Sequence, residues 1–302
     1  MFYPNRKIQL LDISGVRAGG AAIISCPKGL RYKTIVLEFQ DAGAAVMTGP
    51  GTAFAGEITV LLGSQIIRRH NATYLDLSNQ SQGSHYGSVS VAGAANGGGI
   101  TRLPLFFEEP WRKRADYQNG LAVETGWLGS KDVFQVKVPI SAGVTTPVLT
   151  AYAIVDDFSS GNPNQIVKWE SQDVNVNGNT VQIANPFAGM PVGDKISQID
   201  FFDPSDSVAQ SKQVTKCRLV INGVAVYDDV TLDQNNATNQ FADLYMTGVA
   251  GIFPVVFDHD DLFESLRAVG NIKSAQFLLT LKAASAGTMT RITQRLGDPT
   301  QG

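Results

Sequence analysis

The sequence predicts an all-β protein of two tandem jelly-roll β-sandwiches, a double jelly-roll with a short helix after a late strand in each half. Three observations predict it. The first is an internal echo. Lys33-Thr34-Ile35-Val36-Leu37-Glu38-Phe39 is answered by Lys195-Ile196-Ser197-Gln198-Ile199-Asp200-Phe201, residues 57–63 by 217–223, 104–108 by 254–258, and Ser141-Ala142-Gly143 by Ser285-Ala286-Gly287. The four pairs keep their order while their separation shortens from 162 to 144 residues, as two copies of one plan with unequal loops would give. The second is that nearly every apolar segment is short, rich in β-branched or aromatic residues, and bounded by Gly, Pro, Asn or Asp. The third is size: 302 residues hold two domains of about 150 residues, each able to bury a core.

In chain order the strand-like runs are 35–39, 58–62, 133–138, 148–155, 218–221, 224–227 and 275–281. Val133-Phe134-Gln135-Val136-Lys137-Val138 alternates as a half-buried strand does. Asn222-Gly223 between two such runs predicts a type I′ hairpin, whose two central residues need positive φ. Leu62-Gly63-Ser64-Gln65 holds the equivalent place with weaker turn chemistry. No long helix is expected. Short ones are predicted at matching points: 110–117, opening on Pro110 and ending before Gly120, and 260–267, with acids in its first turn and Gly270 as its stop. The Gly-rich stretch 83–99 and the segment 228–243 read as loops. Polar residues 156–165, with Ser159-Ser160-Gly161-Asn162-Pro163, set the boundary between domains 1–160 and 161–302.

Composition narrows the function. Hydrophobic residues at 43% and charged residues at 17% describe a globular protein, and a net charge of −3 gives no overall field for nucleic acid or an anionic membrane. Cys26 and Cys217, one in each half, make neither a disulfide framework nor a metal site and read as buried thiols in a reducing compartment. The first residues lack the apolar core of a secretory signal, and the apolar run 148–155 is far short of the ~20 residues of a membrane helix, so a soluble chain is expected.

Catalytic patterns do not emerge. His70, His85 and His259 are scattered, and the His-x-His pair a two-barrel metalloenzyme needs does not occur. Nor is there a Gly-x-Ser-x-Gly elbow or a phosphate-binding loop, and Gly97-Gly98-Gly99 lacks the dinucleotide pattern. No enzyme activity and no cofactor are therefore predicted. Asp258, Asp260 and Asp261 form the densest acidic cluster. Their hard oxygens suit a structural divalent cation, and they equally suit the N-terminus of a helix. Two basic runs, Arg68-Arg69-His70 and Arg112-Lys113-Arg114, are candidates for intersubunit ion pairs or phosphate contacts, with a solvated face as the other reading. The sequons Asn71-Ala72-Thr73 and Asn236-Ala237-Thr238 read as turn-forming Asn, and Trp111, Trp127 and Trp169 as core residues too dispersed to stack sugars.

The paired blocks 35–39 and 199–202, the strand–turn–strand segments 58–67 and 218–227, and the strands 104–108 and 254–258 carry a resemblance. The chain resembles the double jelly-roll major capsid proteins of tailless icosahedral bacteriophages with an internal membrane. That resemblance implies a homotrimer whose six similar sandwiches give a nearly hexagonal outline, tiling an icosahedral shell around membrane and genome. It implies as partners further trimers, a vertex protein and the internal membrane, with no sequence-specific nucleic acid contact. The protein would reside in the virion after assembly in the host cytoplasm. The amphipathic N-terminal helix of larger relatives has no counterpart, because only residues 1–7 precede the first expected strand. Phe2, Tyr3, Arg6 and Lys7 are the candidates there for a small membrane-facing anchor, rings at headgroup depth and cations on phosphate. The alternative is a tandem β-sandwich binding module, lectin-like or a virion spike, marked by clustered exposed aromatics and a stable monomer.

Overall fold

Short alternating strands bury their apolar sides only by stacking two sheets face to face, and each half of this chain does so. The computed structural model describes residues 5–43, 49–91, 99–111, 121–157, 162–203, 211–241, 248–249, 251–257 and 269–301. The chain divides into one unit of Met1–Val167 with Asp298–Gly302 and a second of Lys168–Gly297.

The first unit contains β1 (Arg6–Leu10), β2 (Ile13–Ser14), β3 (Ala21–Ser25), β4 (Arg31–Asp41), β5 (Glu57–Leu62), β6 (Gln65–Asn71), β7 (Val89–Val91), β8 (Ile100–Phe106), β9 (Val123–Glu124), β10 (Phe134–Pro139) and β11 (Pro147–Asp156). One sheet runs β1-β11-β4-β8-β7, with β9 also on β4, and the other contains β6-β5-β10-β3-β2. With the two- and three-residue strands set aside, eight strands share themselves between two antiparallel sheets as a jelly roll does. Ile35, Leu37 and Phe39 of β4 and Leu103 and Leu105 of β8 face Ile58, Val60 and Leu62 of β5 and Phe134, Val136 and Val138 of β10, all buried. Each such side chain contributes about 1.5–3 kcal/mol of burial. One irregularity matters. The β5–β6 register shifts between Val60 and Leu61, so Ile67 is an extra residue and Arg68 and His70 turn inward opposite Val60 and Ile58.

The second unit repeats the plan with β12 (Ile166–Ala184), β13 (Lys195–Phe202), β14 (Val214–Ile221), β15 (Val224–Thr231), β16 (Ile252–Val256) and β17 (Ala275–Gly297). Here β17 does the work of two strands: residues 275–281 pair with β14, and residues 290–296 pair with β13. Its core gathers Ile196, Ile199, Phe201, Leu219, Phe253, Val255, Phe277 and Leu279. The predicted hairpin is present, with φ of 51° at Asn222 and 81° at Gly223. The Asn222 carboxamide oxygen also accepts from the amides of Lys273 and Ser274 at 2.8 and 3.1 Å.

Helices stand at places where none was expected. Two ten-residue helices, α2 (Ala72–Ser81) and α3 (Leu232–Phe241), follow β6 and β15, after a short α1 (Pro50–Ala53). The expected helix at 260–267, and that at 110–117 beyond Pro110 and Trp111, lie outside the described residues. Asn71 caps α2, its side chain accepting from the Tyr74 amide at 2.6 Å. Asn236, expected in a turn, lies inside α3, and 228–243, expected as a loop, carries the end of β15 and that helix. Within 83–99 the chain forms a 3₁₀ turn (Ser84–Tyr86) and β7. Strand β12 runs unbroken from Ile166, and the division between the two units falls within it, between Val167 and Lys168.

Candidate assembly surface

A sheet that must meet other molecules in a controlled way has to close the edges where uncontrolled pairing would start. Strand β8 is bonded to β7 only along residues 100–102, and the outer edge of its last residues extends beyond that short partner. Two side chains close it. The Asn79 carboxamide, from buried α2, donates to the Pro104 carbonyl at 2.9 Å, and the Arg68 guanidinium donates to the Phe106 carbonyl at 2.5 Å. The second unit repeats the device on β16. Asn235 donates to the Pro254 carbonyl at 2.5 Å, while the Tyr227 hydroxyl donates to the Val256 carbonyl at 3.0 Å and accepts from the Val256 amide at 3.1 Å. Proline suits positions 104 and 254 because the amide it lacks would face this edge. Tyr227 and Arg68 are different residues doing one job from equivalent places on β15 and β6.

A second matched pair ends β4 and β13. The buried Asp41 carboxylate accepts from the amides of Gly43, Thr145 and Thr146 at 3.2, 2.9 and 2.7 Å, fixing the turn before β11. Burial works against its ionisation, but the three donors together outweigh it and hold the carboxyl below its ordinary range. Asp203, buried at the end of β13, accepts from the Lys212 amide at 3.1 Å. The sequence signal for this pair was present: the spacing that relates Phe39 to Phe201 also relates Asp41 to Asp203.

The basic run 68–70 is therefore not one surface. Arg68 is interior, 5.0 Å from the Phe107 ring centroid, and burial pushes its pKa down to about 10 against the pull of Glu109 and Tyr74. Its charge is therefore not presented on the surface, where that expectation placed it. His70 is buried beside it and held neutral, its pKa pushed to about 3 by burial first and by the Arg68 charge second. Arg69 is exposed and sits 3.6 Å from Glu57. Arg6 and Lys7 are part of β1, paired with Val155 and Ile154 of β11, rather than of a segment preceding the first strand. Arg6 forms an ion pair with Asp157, and the Lys7 ammonium lies 3.8 Å from the centre of the Tyr152 ring. Phe2, Tyr3, Arg112, Lys113, Arg114, Asp258, Asp260 and Asp261 lie outside the described residues. Cys26 and Cys217 are buried free thiols, and burial pushes both up to about 12, so neither is a reactive thiolate. Among the described residues no group of three His, Cys, Asp or Glu is placed to hold a metal ion.

Sequence reading missed one cluster. Tyr86, Phe106 and Trp111 meet edge to face, with ring centroids 5.4–5.7 Å apart, half-exposed on the outward side of β8. They come from three segments, so no local pattern announces them.

Two jelly-roll sandwiches of one plan in a single chain define the double jelly-roll class, the architecture of viral capsid proteins. The fold matches the major capsid protein P2 of bacteriophage PM2 with a TM-score of 0.74 at 17% identity, covering 98% of each chain. It matches VP54 of PBCV-1 at 0.70 and 11% identity, over 97% of this chain and 93% of that one. The MCP of STIV, the Sulfolobus Turreted Icosahedral Virus, matches at 0.67 and 12% identity, over 98% and 97%. No protein of curated function matches the sequence. The family model of the viral coat protein P2 N-terminal domain matches residues 7–158, and the chain belongs to that family of viral coat proteins. Its function is that of a viral coat protein, a structural role in the virion shell.

Proposed function

We propose that this capsid protein works as a homotrimeric capsomer whose six similar sandwiches give a pseudo-hexagonal block for an icosahedral shell around an internal membrane and genome. The observation that carries this reading is the depth of the duplication. Both units close the same strand edge at equivalent carbonyls, Pro104 and Phe106 or Pro254 and Val256, and end the same strand on a buried Asp, so each can occupy an equivalent slot in a ring. Three-fold symmetry then yields six near-equivalent positions from one gene product. The work is mechanical and needs no catalysis or cofactor. Further partners on this reading are neighbouring trimers, a vertex protein and the membrane, with assembly in the host cytoplasm. Phe2, Tyr3, Arg6 and Lys7 would be the membrane-facing group, and Asp258, Asp260 and Asp261 would hold a structural cation if one bridges the subunits.

Native mass measures the central claim. A stable species of about 97 kDa, three times the 32.3 kDa chain, is expected at micromolar concentration. A clean monomer at high concentration, with no tendency to form larger particles, would overturn it.

A further inference from the structure

Duplication supplies an internal control for exposure. In both units the middle strand of the corresponding sheet, β4 or β13, sends alternate residues into the core and the others outward. The outward residues of β13 are closed off: Gln198, Asp200 and Phe202 are 7%, 1% and 3% exposed. Their counterparts on β4, Val36, Glu38 and Gln40, are only half-buried. The neighbouring strand shows the same contrast. All five residues of β16 are buried, so both of its faces are covered, whereas β8 alternates buried with half-exposed and leaves Pro104 and Phe106 on its open side. One plan, used twice, has this face covered in one copy and open in the other.

We propose that the outward face of the first unit's sheet, centred on Pro104, Phe106, Tyr86 and Trp111, is the surface on which a second copy of this chain docks. The inference rests on the trimer reading and adds the residues that make it. In a ring of near-equivalent units, equivalent faces need equivalent surroundings, so the face left open in one chain is completed by the next. The side chains suit a protein partner. Tyr and Trp are the anchors that protein interfaces favour, and here they are already packed against Phe106, so little ordering remains to be done on docking. Val89 and Val91 of β7, opposite Arg102 and Ile100, extend the apolar strip to the sheet edge, and Val89 is 54% exposed. Part of the charge on the face is matched internally, since Arg102 lies 2.6 Å from Glu38.

The same chain carries a patch to fit. On the second unit, edge strand β15 and neighbouring β17 expose Val226 and Leu278, 47% and 42% exposed. A contact between two different patches is heterologous, and three copies related by a three-fold axis close it into a ring rather than stopping at a symmetric pair.

Native mass of full-length variants tests this. Val89→Glu with Val91→Glu, both at exposed positions that fold without them, and Phe106→Glu separately, are expected to turn a 97 kDa species into a 32.3 kDa monomer with unchanged far-ultraviolet circular dichroism. Val226→Glu should do the same from the other side. Ile66→Glu, exposed on β6 of the opposite sheet, should leave the trimer intact. Mixing the Val89/Val91 variant with the Val226 variant leaves one intact interface per pair, so a two-chain species should appear. A trimer that survives both the β7 and the Phe106 variants overturns the assignment while leaving the trimer reading standing; a wild-type monomer overturns the trimer reading itself. Glycan binding that is lost in Trp111→Ala with the trimer retained would make the aromatic cluster a sugar site and also overturn the docking assignment.

Discussion

Removing one oxygen atom tests the edge-closing device most sharply. Tyr227→Phe keeps the ring, its packing against Phe257 at 6.3 Å between centroids, and the volume of the core, so it opens no cavity. It removes the hydroxyl that serves both the carbonyl and the amide of Val256. Two buried backbone groups then lose their partner. Each such loss costs about 1–3 kcal/mol, and partial relaxation of the edge leaves roughly 2–4 kcal/mol for the pair. With two units in the chain, a single global unfolding free energy would blur this effect. Hydrogen exchange is local. The amides of Phe253 and Val255 lie on the strand that pairs with β13, and their exchange reports the opening of β16. They should exchange about 30- to 700-fold faster in the variant, at about 1.4 kcal/mol per tenfold. Peptides from the first unit should not change. A change under threefold at β16 would mean that water serves this edge as well as the hydroxyl does, and the reasoning about Arg68, Asn79 and Asn235 would fall with it.

Two pH dependences follow from the buried groups of the first unit. His70 stays neutral in the folded protein down to about pH 3, whereas the unfolded chain takes up a proton below about 6.5, so its contribution to stability is full above that value and is lost on acidification. Urea unfolding of the first unit should show about 2 kcal/mol less stability at pH 5 than at pH 7 from this group, and His70→Phe should remove that part of the slope; equal slopes for both proteins would refute the neutral-histidine assignment. Asp41 has the opposite charge but the same sign of effect: its carboxyl is held low, so its stabilisation is present above about pH 4 and disappears as pH falls through the folded value. Asp41→Asn should cost about 1.5–3 kcal/mol at pH 7, with the gap to the wild type closing below pH 4 in the same unfolding assay.

How much of this was legible follows a physical line. Strands with clean alternation were readable, and so was the Asn222-Gly223 hairpin, because both signals are local. The two ten-residue helices were not. ATYLDLSNQS and LDQNNATNQF have no apolar stripe, and each forms because its chain is led over the sandwich by the strand before it, where Asn79 or Asn235 finds a carbonyl. The run Arg68-Arg69-His70 was misleading for a different reason. Strand geometry alone puts the first and third on one side and the second on the other, but a one-residue bulge at Ile67 decides which side faces inward, and nothing in the local sequence marks a bulge. The pair Asp41 and Asp203 was available to a longer comparison of the two halves. The aromatic cluster was not, since its members are brought together only by pairing at a distance.

The two units also separate what the fold requires from what assembly requires. Where the backbone must be closed, geometry is kept and identity is free: Arg68 and Tyr227 reach equivalent carbonyls with unrelated chemistry. A guanidinium and a phenol share only the reach to cross the sandwich and a donor at the end. Where the surface must meet something, the reverse holds, and the same outward strand face is half-open and aromatic on β8 but covered on β16. If both units had kept identical outward faces, a chain could not distinguish its own second half from a neighbour's, and alternative ring closures would compete. On the capsomer reading proposed above, divergence of the outward faces on a shared backbone removes that ambiguity while preserving near-equivalent slots. Selection for specific closure would then account for a duplication that is clear in strand register and side-chain closure, yet faint in residue identity.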